Sequence, residues 1–108
     1  MRIVTWNCNG ALRNKTDILD QLEADVLVIQ ECEDPSRSTK QYQQWASNYL
    51  WTGGNKNMGL GIFASPDVSL KSLKWTGKHS LYLADSTSPL LEWDSSQLEL
   101  FLPCQIDT

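Results

Sequence analysis

The chain is poor in the residues from which several common kinds of active site are built. Its 108 residues include a single histidine, His79, and three cysteines, Cys8, Cys32 and Cys104, with no C-x-x-C spacing. Neither a disulfide framework nor a zinc cluster is expected from that set, and an odd number of thiols suits a reducing, cytoplasmic compartment. Basic residues are in the minority, nine Lys and Arg against thirteen Asp and Glu, for a formal net charge of −4 and an isoelectric point near 4.7. That balance excludes a broad positive field able to hold a nucleic-acid backbone without specificity. The cations are scattered singly, and Arg13 with Lys15 is the nearest approach to a cluster. No apolar run approaches the roughly 18 residues of a membrane span. The first residues enter a strand pattern directly, without the charged-then-apolar leader of a signal peptide. Secretion and membrane insertion are not expected.

What is present is an ordinary globular composition, 41% hydrophobic and 20% charged, outside the disordered and membrane classes. One domain fits this length, although a unit of such size buries only roughly two-thirds of the surface its unfolded chain exposes. Residues 2–7 (RIVTWN) are β-branched and aromatic and read as a strand, which Asn9-Gly10 breaks. Over residues 11–22, Leu12, Ile18, Leu19 and Leu22 recur at near-helical spacing with polar residues between them, the pattern of a one-sided amphipathic helix.

Residues 25–31 (DVLVIQE) are the most diagnostic, because consecutive apolar residues of β-branched character predict a strand covered on both faces, usually parallel and interior. Strand, helix and strand within about thirty residues make a crossover unit. In open α/β sheets, ligands bind at the carboxyl ends of such strands, where Asn7, Asn9 and Glu31 all lie.

Ser38 or Thr39 can cap a second helix reaching about Tyr49, with Tyr42, Trp45, Ala46 and Tyr49 on one face. Those aromatics are better read as core packing than as a base-stacking platform. A short strand at 50–52, a turn at 53–57 and a strand at 58–65 follow. Gly59 and Gly61 share one face of that last strand, which predicts a close approach by another group. A further strand is expected over 68–75, an irregular loop over 76–89, and a hairpin of 90–93 with 97–106 about Asp94-Ser95-Ser96. The fold class expected is α/β, a mixed β-sheet with helices on one face. Five tryptophans and a two-sided apolar strand leave the other face in need of a partner, expected from missing sequence or from self-association.

A hard cation such as Mg²⁺ takes oxygen ligands, one or two carboxylates with amide oxygens, waters and substrate phosphate. Glu31 and Asn7 offer that kind of set, since neighbouring strands lie about 4.8 Å apart. Position alone leaves a plainer alternative open, in which Asn7 and Asn9 form turns and Glu31 is a solvated strand end.

Trp6-Asn7-Cys8-Asn9-Gly10, followed by Leu12-Arg13 and then by residues 24–31 (ADVLVIQE), resembles the opening of the endonuclease/exonuclease/phosphatase superfamily, which includes exonuclease III-like and DNase I-like nucleases. Strands ending in W-N-x-x-G and in Q-E are its first two motifs. Residues 59–63 (GLGIF) resemble its next core strand, with Asn57-Met58 where an aromatic or histidine is often found.

The resemblance implies a Mg²⁺- or Mn²⁺-dependent hydrolase of phosphodiesters, nucleic acid among them. It makes Glu31 the metal-binding glutamate and Asn7 the asparagine supporting the metal and phosphate site. Asn9 falls near the metal, and Arg13 is a candidate phosphate donor that reads more readily as an exposed helical arginine. Cys8 and Cys32 flank the site but suit packing, since soft thiolates do not suit Mg²⁺.

The family's later Asp-x-Asn and Asp-His motifs are not in the sequence: Asp85, Asp94 and Asp107 are not followed two places on by Asn, and His79 reads as a loop histidine. The expectation is therefore residues 1–108 as the incomplete N-terminal part of one such domain, the first half of a two-sheet α/β sandwich, close to inactive alone. The rival expectation is a non-catalytic half-domain that associates with itself or a partner through the uncovered sheet face.

Overall fold

The computed structural model describes residues 1–73, 78–94 and 100–108, and of Lys78, His79 and Trp93 the backbone alone. Four strands form the main sheet: β1 (Ile3–Asn7), β2 (Val26–Cys32), β3 (Tyr49–Asn55) and β4 (Met58–Ala64). Their order is β1-β2-β4-β3, with β2 parallel to β1 and antiparallel to β4. The sheet is mixed, as the sequence predicts, and strand outweighs helix in the chain as a whole. β2 lies inside the sheet because it is apolar on both sides: Leu27 and Ile29 face one core, while Val26 and Val28 face another. The β1–β2 register runs from Ile3 opposite Val26 to Asn7 opposite Gln30.

The connection between β1 and β2 is not the single helix expected over 11–22. It is a 3-10 turn, Leu12–Asn14, followed by a short helix α1, Thr16–Asp20. Lys15 separates them with φ −126° and ψ 5°, outside helical geometry, and its ammonium is drawn back to the carbonyls of Cys8 and Gly10. Leu12 and Leu19 are buried, whereas Ile18 and Leu22 remain exposed.

Helix α2 (Lys40–Trp45) starts where predicted, with the Thr39 hydroxyl accepting from the Tyr42 N–H. It stops short of Tyr49, which opens β3 instead. Leu12, Leu19, Tyr42 and Ala46 pack over Leu27, Ile29, Cys32 and Phe63. The rings of Tyr42, Trp45 and Tyr49 surround Phe63, that of Trp45 at 5.0 Å between centroids, so they pack the helix-side core. Gly53, Gly54 and Asn55 belong to β3, leaving Lys56-Asn57 as the turn. The approach predicted at the β4 glycines is made by two rings: a Cβ on Gly59 would meet Trp51 and the Thr52 carbonyl, and one on Gly61 would meet Phe63.

The opposite face is covered in part by the chain itself. β5 (Ser69–Ser72) pairs antiparallel with β8 (Cys104–Asp107). Val68, Leu70, Leu102, Cys104 and Ile106 pack there against Val26, Val28, Ile62 and Ala64. Of the expected hairpin arm over 97–106, the described end goes elsewhere: Cys104 and Ile106 pair with β5, and Leu102, Cys104 and Ile106 pack in this second core. β7 (Pro89–Asp94) pairs instead with β6 (Lys78–Tyr82), inside the stretch expected to be a loop. His79 accordingly has strand backbone. The intervening turn is made by Asp85 at φ 64° and by the Ser86 hydroxyl, which accepts from the Ser88 N–H and donates to the Ser88 carbonyl. Lys74 and Trp75 of the expected strand over 68–75, and Ser95, Ser96 and Leu98 of the expected hairpin, lie outside the described residues. Among the described residues no helix is long and apolar enough to cross a membrane.

Candidate metal and phosphate site

The carboxyl ends of β1 and β2 finish side by side, and the backbone leaves both in unusual conformations. After β1, Asn9, Gly10 and Ala11 are successively left-handed, at φ 58°, 81° and 52°. That conformation costs a non-glycine residue about 1–2 kcal/mol. The loop is sewn down locally and across the strands. Asn7 Oδ1 accepts from the Asn9 N–H at 3.1 Å, the Cys8 N–H donates to the Gln30 carbonyl at 3.1 Å, and the Gly10 N–H donates to the Glu31 carbonyl at 2.9 Å.

Glu31 is itself left-handed, at φ 59°, within a bulge between Gln30 and Cys32 on the β4 side. The bulge decides which way Glu31 faces. Strict alternation would set Glu31 on the opposite face from Gln30, and so from Asn7, which pairs with Gln30. One extra residue resets the alternation: Cys32 returns to the helix-side core with Ile29, and Gln30 reaches Thr5 Oγ1 at 3.0 Å on the other face. Glu31 lines a depression of about 400 Å³ with Gly54, Asn55, Met58 and Leu100. Met58 lies in line with Ile62 and Ala64 on β4, both of which belong to the second core. Asn7 and Glu31 thus occupy the same end of the sheet and the same face.

Glu31 is half-buried, and its carboxylate makes no hydrogen bond or ion pair among the described residues. Asn9 is exposed and supplies its N–H to Asn7. Arg13 stands apart from this pair in its bonding. Its guanidinium donates to Glu33 Oε2 at 2.7 Å, so the candidate phosphate donor is already engaged by a carboxylate.

Two residues of this region are not singled out by the sequence pattern. Glu33 is 3% exposed, and its oxygens accept from the Leu12 N–H at 2.8 Å and the Arg13 N–H at 3.4 Å as well as from the guanidinium. Lys15 closes the loop from the other side, its ammonium donating to the carbonyls of Cys8 at 2.5 Å and Gly10 at 2.8 Å, and lying 5.9 Å from the centre of the Trp6 ring. The available signal for Glu33 is the run Glu31-Cys32-Glu33-Asp34, four residues with three carboxylates directly after an apolar strand.

The cysteines beside the site behave as packing residues. Cys8 and Cys32 are buried, and burial raises both thiols, that of Cys32 to about 12. Protonated thiols are poor metal ligands. Among the described residues no three His, Cys, Asp or Glu side chains gather as a metal cluster. The oxygens of Glu31 and Asn7 are hard donors, able to contribute part of an oxygen shell whose remainder is water and ligand.

Compared with known proteins, the chain matches no family model, no curated sequence and no solved structure.

Proposed function

We propose that the chain provides the metal-binding part of a phosphodiester hydrolase site, with Glu31 and Asn7 holding Mg²⁺ or Mn²⁺ and Asn9 beside them. The observation that carries this reading is the β2 bulge, which turns Glu31 toward the side of Asn7 at the strand ends. An unpartnered, half-buried carboxylate beside an amide oxygen fits a hard cation that keeps several waters. When bound, such an ion polarises a phosphoryl oxygen and stabilises charge on the leaving oxygen.

The chain's own groups hold and orient. Asn7 is fixed by the Asn9 N–H, and Glu31 is fixed through its backbone by the Gly10 N–H. Neither an Asp-x-Asn nor an Asp-His pair stands in the sequence, and an absent general base typically costs about 10²–10⁴ in rate. Turnover by the chain as it stands is accordingly slow. With a net charge of −4, nucleic acid or another phosphodiester is held by local contacts only. The mixed sheet with helices on one face is read as the first sheet of a two-sheet α/β sandwich, with β5 and β8 beginning the second. Three free cysteines agree with a reducing, cytoplasmic setting.

The test is Mn²⁺ binding, followed by the loss of the free-ion paramagnetic resonance signal. One site is expected, weakened about tenfold or more by Glu31→Gln and less by Asn7→Ala. Binding that both substitutions leave unchanged rejects the site.

A second reading, a non-catalytic module that pairs with a second copy of itself, is favoured by the β6–β7 hairpin. Leu81, Leu83, Leu90 and Leu91 there are all more than half exposed, an apolar strip of the kind that marks association surfaces.

A further inference from the structure

Given the metal site proposed above, we infer that Glu33 is its positioning residue, a buried clamp that fixes the loop that follows Asn7 and carries Asn9 against the strand end carrying Glu31. The anchor is rigid from below. The Tyr42 hydroxyl donates to the Glu33 carbonyl at 2.9 Å, and the Trp51 indole N–H donates to the Cys32 carbonyl at 3.1 Å. The backbone at Glu33 is therefore tied to helix α2 and to strand β3. The side chain then reaches up to the loop: Oε1 takes the Leu12 N–H, and Oε2 takes the guanidinium and N–H of Arg13.

The loop needs such a hold. Asn9, Gly10 and Ala11 are consecutively left-handed, a conformation that L residues adopt only where the surroundings impose it. Only the Gly10 N–H and the Cys8 N–H join this loop to β2 through the backbone. Lys15 contributes from the loop's own side, gathering the Cys8 and Gly10 carbonyls, but it does not connect the loop to β2. Glu33 does, because it lies in the residues immediately following β2. The arrangement resembles the outer shell of a metal site, where groups that do not touch the ion set the direction of those that do.

A purely structural Glu33, there only to satisfy buried N–H groups, predicts lost stability without a selective effect on the site. Glu33→Gln separates the two, since it retains an acceptor for Leu12 while turning an amide NH₂ toward the Arg13 donors. Two readouts are taken on the full chain. First, amide hydrogen exchange at Gly10 and Leu12 is expected to accelerate about tenfold in Glu33→Gln, with β2 and β4 amides unchanged; unchanged exchange at those two positions overturns the clamp.

Second, Mn²⁺ affinity is expected to fall about tenfold in Glu33→Gln, while Val68→Ala, packed against Val26 at the far end of β2, weakens folding and leaves the affinity unaltered. Wild-type affinity in Glu33→Gln overturns the positioning role, as does an equal loss in Val68→Ala. If Glu33→Gln does not fold, Arg13→Gln loosens the same clamp from its half-exposed end, and the same pair of outcomes decides. Absence of Mn²⁺ binding in the wild type, or binding indifferent to Glu31→Gln, removes the metal site and with it the positioning role, whereas the exchange result still decides the clamp.

Discussion

The main sheet and the β6–β7 hairpin both carry apolar side chains on their strands, yet one buries them and the other displays its leucines. In the main sheet, β2 has a neighbour on each side and a core on each face, so Val26 and Ile29 reach 0% exposure. In the hairpin, Leu83 and Leu90 are each 61% exposed, and among the described residues β6 and β7 pair with each other alone. The molecule is correspondingly long, with a radius of gyration of 15.9 Å against about 13 Å for a compact chain of this length. The contrast teaches that apolar content does not locate a core. Layers do, and the helix layer and the β5–β8 layer both converge on β2.

The largest effect that should divide the two regions is the truncation of a fully buried side chain. Ile29→Ala is expected to cost about 3–4 kcal/mol in urea unfolding, whereas Leu91→Ala should change stability by less than about 0.5 kcal/mol. Comparable losses at both positions would show that the hairpin is packed. Next in size is Gly59→Ala. Its new Cβ would meet the Trp51 ring and the backbone carbonyl of Thr52, and a carbonyl in a ladder cannot swing aside. A loss of about 1–3 kcal/mol is expected, with the Trp51 fluorescence displaced.

A smaller, pH-dependent term belongs to Asp34, which follows the site on the main-sheet side. Burial acts to raise its carboxyl, but the Ser36 hydroxyl and N–H and the Arg37 guanidinium outweigh that and hold it below the ordinary value. A carboxyl lower in the folded than in the unfolded state stabilises folding above its unfolded pKa of about 4, and that contribution disappears as pH falls through the folded value. Asp34→Asn should therefore lower stability at pH 7 and approach the wild type below about pH 4 in parallel urea titrations. A constant difference across that range would remove the assignment.

Sequence reached the local features and missed those set by distant partners. β1, β2 and β4 are visible because each is a run of apolar or β-branched residues, and the start of α2 is visible because Thr39 carries its own cap. Asn7 and Glu31 could be placed at neighbouring strand ends because a crossover fixes the ends of both strands. The bulge that reconciles their faces could not, since it exists only relative to the β4 ladder. Glu33 gave no local sign of its burial, because its donors, Leu12 and Arg13, come from the other side of the crossover. Pairing failed for the same reason in the last third of the chain. Leu102, Cys104 and Ile106 alternate as a hairpin arm would, and only the position of Val26 and Ile62 sends them to the second core.

Strain at the site gives a test of intermediate size and opposite sign. Ala11 is left-handed at φ 52°, so Ala11→Gly relieves a cost of about 1 kcal/mol and adds back part of it as unfolded-chain entropy. A net gain of about 0.5 kcal/mol in thermal unfolding is expected, and a loss would show that the Ala11 methyl packs well enough to outweigh the strain.

The smallest effect on folding is expected where the comparison began. Replacing Leu83 and Leu90 together by serine should leave the urea stability within about 0.5 kcal/mol of wild type, since both side chains stay mostly in water when the chain folds. The same change removes two of the most exposed apolar groups from the hairpin, so concentration-dependent sedimentation present in the wild type should shift toward monomer. Unchanged sedimentation would move self-association away from β6–β7 and toward β1, an edge strand of the main sheet among the described residues. A large loss of stability would instead mean that the hairpin is covered within the monomer, and the distinction between the two regions would fail.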